Sequence, residues 1–161
     1  MRALRHALVP VVTLVALGSC RATTEPGALS LRGLGFYHPI TSQAISELRR
    51  VASLVAVVRS ANVVLIESAA SDAVLQRIHG VVEVGPPLGS ADGLFLEASV
   101  LFPEAATPAQ LAALEDAGTI TGELPEAHWY ILLVPLEKLE KLDNVVGATD
   151  VTVWVDHAVR Q

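Results

Sequence analysis

Between positions 94 and 102 the chain reads LFLEASVLF. Leu94, Leu96, Ala98, Val100 and Phe102 fall on one side of the alternation, which predicts a strand with one fully apolar face. Thr107, Pro108 and Gln110 follow with the spacing of a capping box, so a helix is expected to start there, with Leu111 and Leu114 as its apolar stripe. Gly118 is expected to end it in the left-handed conformation that glycine adopts cheaply. A short strand over 119–123 and a turn over 124–127 lead to HWYILLV, a strand apolar on both faces, as in the middle of a sheet. Pro135 opens a second predicted helix, with Leu136, Leu139 and Leu142 inward and Glu137 and Lys141 paired one turn apart outside. Val151, Val153 and Val155 then alternate with Thr152 and Trp154 in a closing strand over 145–155. The predicted order is β-α-β-β-α-β.

The first half follows the same plan less cleanly. Strands are predicted over 31–36, 54–58, 62–67 and 81–84, with helices from Thr41 through Leu48 and over 71–78. Thr41, Ile45, Leu48 and Ala61 match Thr107, Leu111, Leu114 and Ala127 at a constant offset of 66, and Val81 and Val82 match Val145 and Val146 at 64. Residues 85–93, GPPLGSADG, are all turn formers and mark the boundary. The expected fold class is α+β: two tandem ferredoxin-like β-α-β-β-α-β units with antiparallel sheets, over 31–86 and 93–161.

Ahead of these units, Arg2, Arg5 and His6 precede an apolar run of about eleven residues, too short to span a bilayer and suited to a signal peptide. Leu17, Gly18, Ser19 and Cys20 resemble the lipobox of bacterial lipoproteins. The resemblance implies that residues 1–19 are removed and that Cys20 carries the lipid, palmitate included; an ordinary secretory signal with a stray cysteine is the alternative. Cys20 is the only cysteine, so no disulfide pair exists and the fold must hold by packing. Residues 20–30 are then the lipidated cysteine and a small, polar tether. Without Arg2 and Arg5, nine basic side chains face seventeen acidic ones, which argues against nucleic acid as a partner. Arg21, rather than an aspartate, is compatible with outer-membrane sorting, so the expected location is the bacterial cell envelope, held by the lipid.

In the second half, LAALEDAG, HWYILLVP, LEKLEKLDNVVG and VTVWVDHAVRQ together resemble the subtilisin propeptide and protease-inhibitor family over about 65 residues. That family shares the ferredoxin-like fold, packs its open sheet face on the enzyme and leaves its last residues in the protease cleft. Carried over, the resemblance puts Trp154 on the docking face and Asp156, His157, Ala158, Val159, Arg160 and Gln161 in the tail. With Gln161 as the last residue, the expectation is an inhibitor or chaperone of a separate subtilisin-like protease. The alternative is a structural or adaptor lipoprotein that binds another envelope protein or a small ligand.

A binding surface is also expected on physical grounds. A four-stranded sheet with both helices on one side leaves its other face bare, and Trp154 with part of the run Trp129, Tyr130 and Ile131 must point there. Either a partner covers this face, or the two units press their open faces together and bury both tryptophans. Catalysis is not expected. His38, His79, His128 and His157 show no metal-binding spacing; His128 and His157 at one end of the sheet are better read as surface histidines than as a metal site. Glu67 and Glu97 read as solvated carboxylates at strand edges. No cofactor is implied.

Overall fold

A computed structural model of the chain describes residues 28–160. The expected leader over 1–19, Cys20, most of the tether, the side chain of His157 and Gln161 lie outside the described residues. The fold class is α+β with antiparallel sheets, as the alternation predicts.

The first half runs β1 (Ser30–Phe36), α1 (Ser42–Leu48), β2 (Ser53–Val58), β3 (Val63–Ser68), α2 (Asp72–Leu75) and β4 (Val81–Val84), with sheet order β2-β3-β1-β4. The Thr41 side chain caps α1 by accepting from the Ala44 N–H. Leu34, Phe36, Val64 and Ile66 meet Ala44, Leu48 and Leu75 in one buried cluster, which places both helices on the same face of the sheet. The helix expected over 71–78 shrinks to four residues. It is held at its start by an ion pair between Arg32 and Asp72.

The second half repeats the arrangement with β5 (Leu94–Leu101), α3 (Pro108–Ala117), β6 (Thr119–Leu124), β7 (Trp129–Pro135) and β8 (Asp150–Arg160), in the order β6-β7-β5-β8. The capping box at Thr107 and Gln110 is present as expected. Correspondence between the halves extends to single atoms. Phe36 N–H donates to the Asn62 carbonyl and Phe102 N–H to the His128 carbonyl, an offset of 66 at both ends. Among the described residues, Asn62 and His128 are also the two non-glycine residues with positive φ, 53° and 52°. The match of Val81 with Val145 is corrected: Val145 closes the preceding helical segment, whereas Val84 and Val151 occupy corresponding pairings, opposite Leu34 and Val100.

Two further expectations change. Gly118 does not take a left-handed conformation; its φ and ψ are both −168°, an extended backbone open to any residue. What requires glycine there is space, since a Cβ would lie 2.7 Å from the Leu133 carbonyl oxygen of β7. The expected α-helix after Pro135 is a 3-10 helix, Leu136–Asn144. With three residues per turn, its side chains form three ridges. Leu136, Leu139 and Leu142 enter the core, Glu140 and Asp143 reach the first half, and Lys141 pairs at 2.7 Å with Asp116 of α3 rather than with Glu137.

This 3-10 helix joins the halves. Glu140 accepts from the Val57 N–H, and the Asp143 carboxylate accepts from the Arg59 and Ser60 N–H groups and the Ser60 hydroxyl. Donors of an edge strand and of the turn after it are thereby satisfied by carboxylates from the other half. Leu31, Ala56, Val58, Val63 and Leu65, on the face of the first sheet away from its helices, belong to one cluster with Leu139, Leu142 and the buried face of the second sheet. The stack runs from α1 and α2 through the first sheet and the second half's helices to the second sheet. Val63, Val64, Leu65 and Ile66 are consequently all buried, since β3 is covered on both sides.

Two exposed carboxylates are expected to make the fold sensitive to acid. The His79 N–H, then Gln43, holds Glu47 below its ordinary 4.5, and the hydrogen bond from Lys141 holds Asp116 below 3.8. A carboxyl whose folded pKa is depressed stabilises the fold above its unfolded pKa and loses that contribution as pH falls through the folded value. Urea midpoints are therefore expected to hold between pH 7 and 5 and to drop below about pH 4, and Glu47→Gln is expected to remove part of that drop.

Candidate functional site

Antiparallel pairing decides which side chains share the outer face of the second sheet. Opposite Leu101 stand Trp129 on one side and Asp150 on the other; opposite Ser99 stand Ile131 and Thr152; opposite Glu97 stand Leu133 and Trp154. The alternate residues Leu96, Ala98, Val100, Tyr130, Leu132, Val134, Val151 and Val153 are buried under α3 and the 3-10 helix. Phe95, Leu101, Trp129, Ile131, Leu133 and Trp154 are left half-buried on the uncovered face, with Leu124 exposed at its edge.

Of the aromatic run in β7, Trp129 and Ile131 face outward and Tyr130 does not. Tyr130 packs edge-on against Phe102 with ring centres 5.9 Å apart, and burial, reinforced by the nearby Glu123, raises its phenol pKa. A shallow depression of about 400 Å³ lies on the outer face, lined by Ser99, Leu101, Ala127, Trp129, Asp150, Thr152 and Trp154. Ser99 is 4% exposed although it faces outward, so its neighbours lean over it. The Thr152 hydroxyl donates to Asp150 Oδ2 at 3.0 Å.

The sequence expectation that the two open faces meet is corrected. The first sheet's open face is covered by the second half's helical layer and by Val155, and the tryptophans stay outside that contact. Steric fit explains this choice. Gly33, in the middle of β1, leaves a hole that the Val155 side chain fills, and a Cβ added at Gly85 would lie 3.0 Å from the same valine.

Three of the residues expected to leave as a tail stay in the sheet. Ala158, Val159 and Arg160 pair with Leu96, Phe95 and Leu94 of β5. Between Trp154 and Ala158 the register shifts, so that Val155, Asp156 and His157 bulge from the ladder. Arg160 donates to the Leu88 and Ser90 carbonyls at 2.9 and 3.1 Å, fastening the strand end to the segment between the halves. Ala158 to Arg160 therefore pair as strand residues because β5 continues to Leu94 and leaves partners for them. Trp154 shares the depression with Trp129, an association hidden in the sequence by 24 intervening residues. Asp150 was not singled out in the sequence, and its pairing opposite Leu101 is what places it there.

The histidines are dispersed: His38 and His79 border a small pocket of about 80 Å³ in the first half, and His128 sits in the β6–β7 turn. Among the described residues, no three His, Cys, Asp or Glu side chains come together as a metal-ligand set. Compared with family models, with curated proteins and with solved structures, the chain matches none.

Proposed function

We propose that the chain is a lipid-anchored bacterial envelope protein, built from two tandem ferredoxin-like units over 31–86 and 93–161, that acts by binding a protein through the open face of its second unit. One asymmetry carries this reading. The corresponding face of the first sheet is filled by the chain's own helical layer, whereas the face with Trp129 and Trp154 belongs to neither buried cluster of the described residues. Large aromatic side chains on an uncovered apolar face are the usual anchors of a protein contact. Cys20 supplies the anchor and the envelope location through the lipobox resemblance, with the outer membrane as the destination compatible with Arg21.

The partner favoured by the resemblance of residues 94–161 is a subtilisin-like serine protease. The full chain is expected to inhibit such a protease, and Trp154→Ala to weaken inhibition roughly tenfold or more, the size of an interface hot spot. Inhibition unchanged by Trp154→Ala and Trp129→Ala would rule out the sheet face as the contact. Labelled palmitate should enter the wild type and not Cys20→Ser.

A second reading, an adaptor for another envelope protein, is favoured by one observation. Ala158, Val159 and Arg160 are held in the ladder, and a cleft-inserting tail would require those pairings to open. Removal of residues 158–161 separates the two: inhibition by tail insertion falls strongly, and binding by the sheet face alone does not.

A further inference from the structure

On the reading that this face is the docking surface, we propose that its depression is the acceptor for an arginine side chain presented by the partner protein. Charge is the first ground. Among the described residues Asp150 is the one charged residue lining the depression, and it is negative, on a chain of formal net charge −6. A cationic group is complementary to this lining and an anionic one is not.

Shape and surface chemistry narrow the cation. Trp129 and Trp154 border the depression from two strands, and indole faces attract cations. A guanidinium is planar, weakly hydrated and able to stack on an aromatic face while donating in-plane hydrogen bonds to a carboxylate. An ammonium keeps its hydration more strongly and loses more on entering an aromatic surface. Leu101 and Ala127 offer apolar contact for the methylene stem that carries the guanidinium. Asp150 is prepared as the acceptor: Thr152 donates to its Oδ2, and among the described residues no donor to Oδ1 accompanies it. Ser99 and Thr152 add hydroxyls to the lining without adding charge.

The chain has two tryptophans, both at this site, so its two indole N–H resonances report on the depression directly. The full chain, held in detergent micelles, is titrated with acetyl-arginine methylamide and with its neutral citrulline counterpart. Saturable indole shifts are expected in the millimolar range with the arginine compound. They are expected to be absent with citrulline, several-fold weaker with the lysine analogue, and about tenfold weaker in Asp150→Asn. Asp150→Glu keeps the charge and is expected to recover part of the affinity, and the backbone amide spectrum shows whether either variant is folded.

Equal shifts with citrulline and arginine would overturn the proposal, as would the lack of any saturable shift. Indole shifts produced by chitotetraose and not by the arginine compound would also overturn it, in favour of a glycan. Partner binding lost in Trp154→Ala, without any response to arginine, removes this inference and leaves the docking face standing. An arginine response with partner binding intact in both tryptophan variants removes the docking face instead.

Discussion

Leu139→Ala is expected to lower the stability of the chain by about 2–5 kcal/mol, and to lower it in both halves together. Leu139 is fully buried in the middle of the 3-10 helix, in the cluster that contains Leu31, Ala56, Val58, Val63 and Leu65 of the first half and Leu96, Leu132 and Val153 of the second. Truncation removes three heavy atoms from that cluster and leaves a cavity in the layer between the sheets. The walls cannot close without moving the 3-10 helix, whose Glu140 is bound to the edge of β2 and whose Asp143 is bound to the turn after it. Damage to this layer is therefore shared. Urea unfolding followed by tryptophan fluorescence sees only the second half, because Trp129 and Trp154 both lie there. Hydrogen exchange at the β3 amides sees the first. Both signals should lose protection by the same amount; full protection of β3 beside a weakened second half would mean that the halves unfold separately.

Gly33→Ala is expected to cost about 1–3 kcal/mol through overpacking rather than through a cavity. The added methyl would overlap Val155, whose Cγ1, Cβ and Cγ2 already occupy the space above β1. A β-branched side chain has few alternative rotamers, and Val155 is buried, so the strain passes to the backbone of β8 or β1. The double variant Gly33→Ala with Val155→Gly should recover part of the loss, since only glycine removes the Cβ that would lie 2.4 Å from the added methyl. Thermal unfolding of the two singles and the double gives the coupling; additive losses would show that the valine and the glycine are not a fitted pair.

Much of this architecture is legible along the chain because the two periodicities are strong locally. Thr107 and Gln110 announce α3, and the alternation from Leu94 separates the buried face of β5 from the outer one. The offset of 66 between the halves is visible in side chains and recurs in backbone hydrogen bonds. A helix after Pro135 was legible, but its 3-10 type was not read from it, although the spacing carries it. Leucines at 136, 139 and 142 recur every three residues, which suits three residues per turn better than 3.6.

What the sequence hides is long-range. Nothing in the sequence shows the donors that Glu140 and Asp143 meet, which come from β2 and the turn after it. Gly33 looks like a weak point in a strand until Val155, 122 positions away, is brought over it. The candidate site divides in the same way. Trp129 and Trp154 are recognisable as outward-facing from their alternation, but their shared depression and the place of Asp150 in it depend on strand pairing.

The bulge in β8 gives the last strand three tasks in succession. Residues before it complete the second sheet, Val155 within it plugs the first half, and Arg160 beyond it clasps the connecting segment. A chain emerging from a ribosome or a translocation pore, amino end first, delivers these pieces last. Until they arrive, Leu31, Ala56, Val58, Val63 and Leu65 lack the layer that keeps them dry. The amino-terminal half thus waits, with a wet apolar surface, for the carboxyl-terminal half to seal it, and that interval is when a holding chaperone would have most to grip.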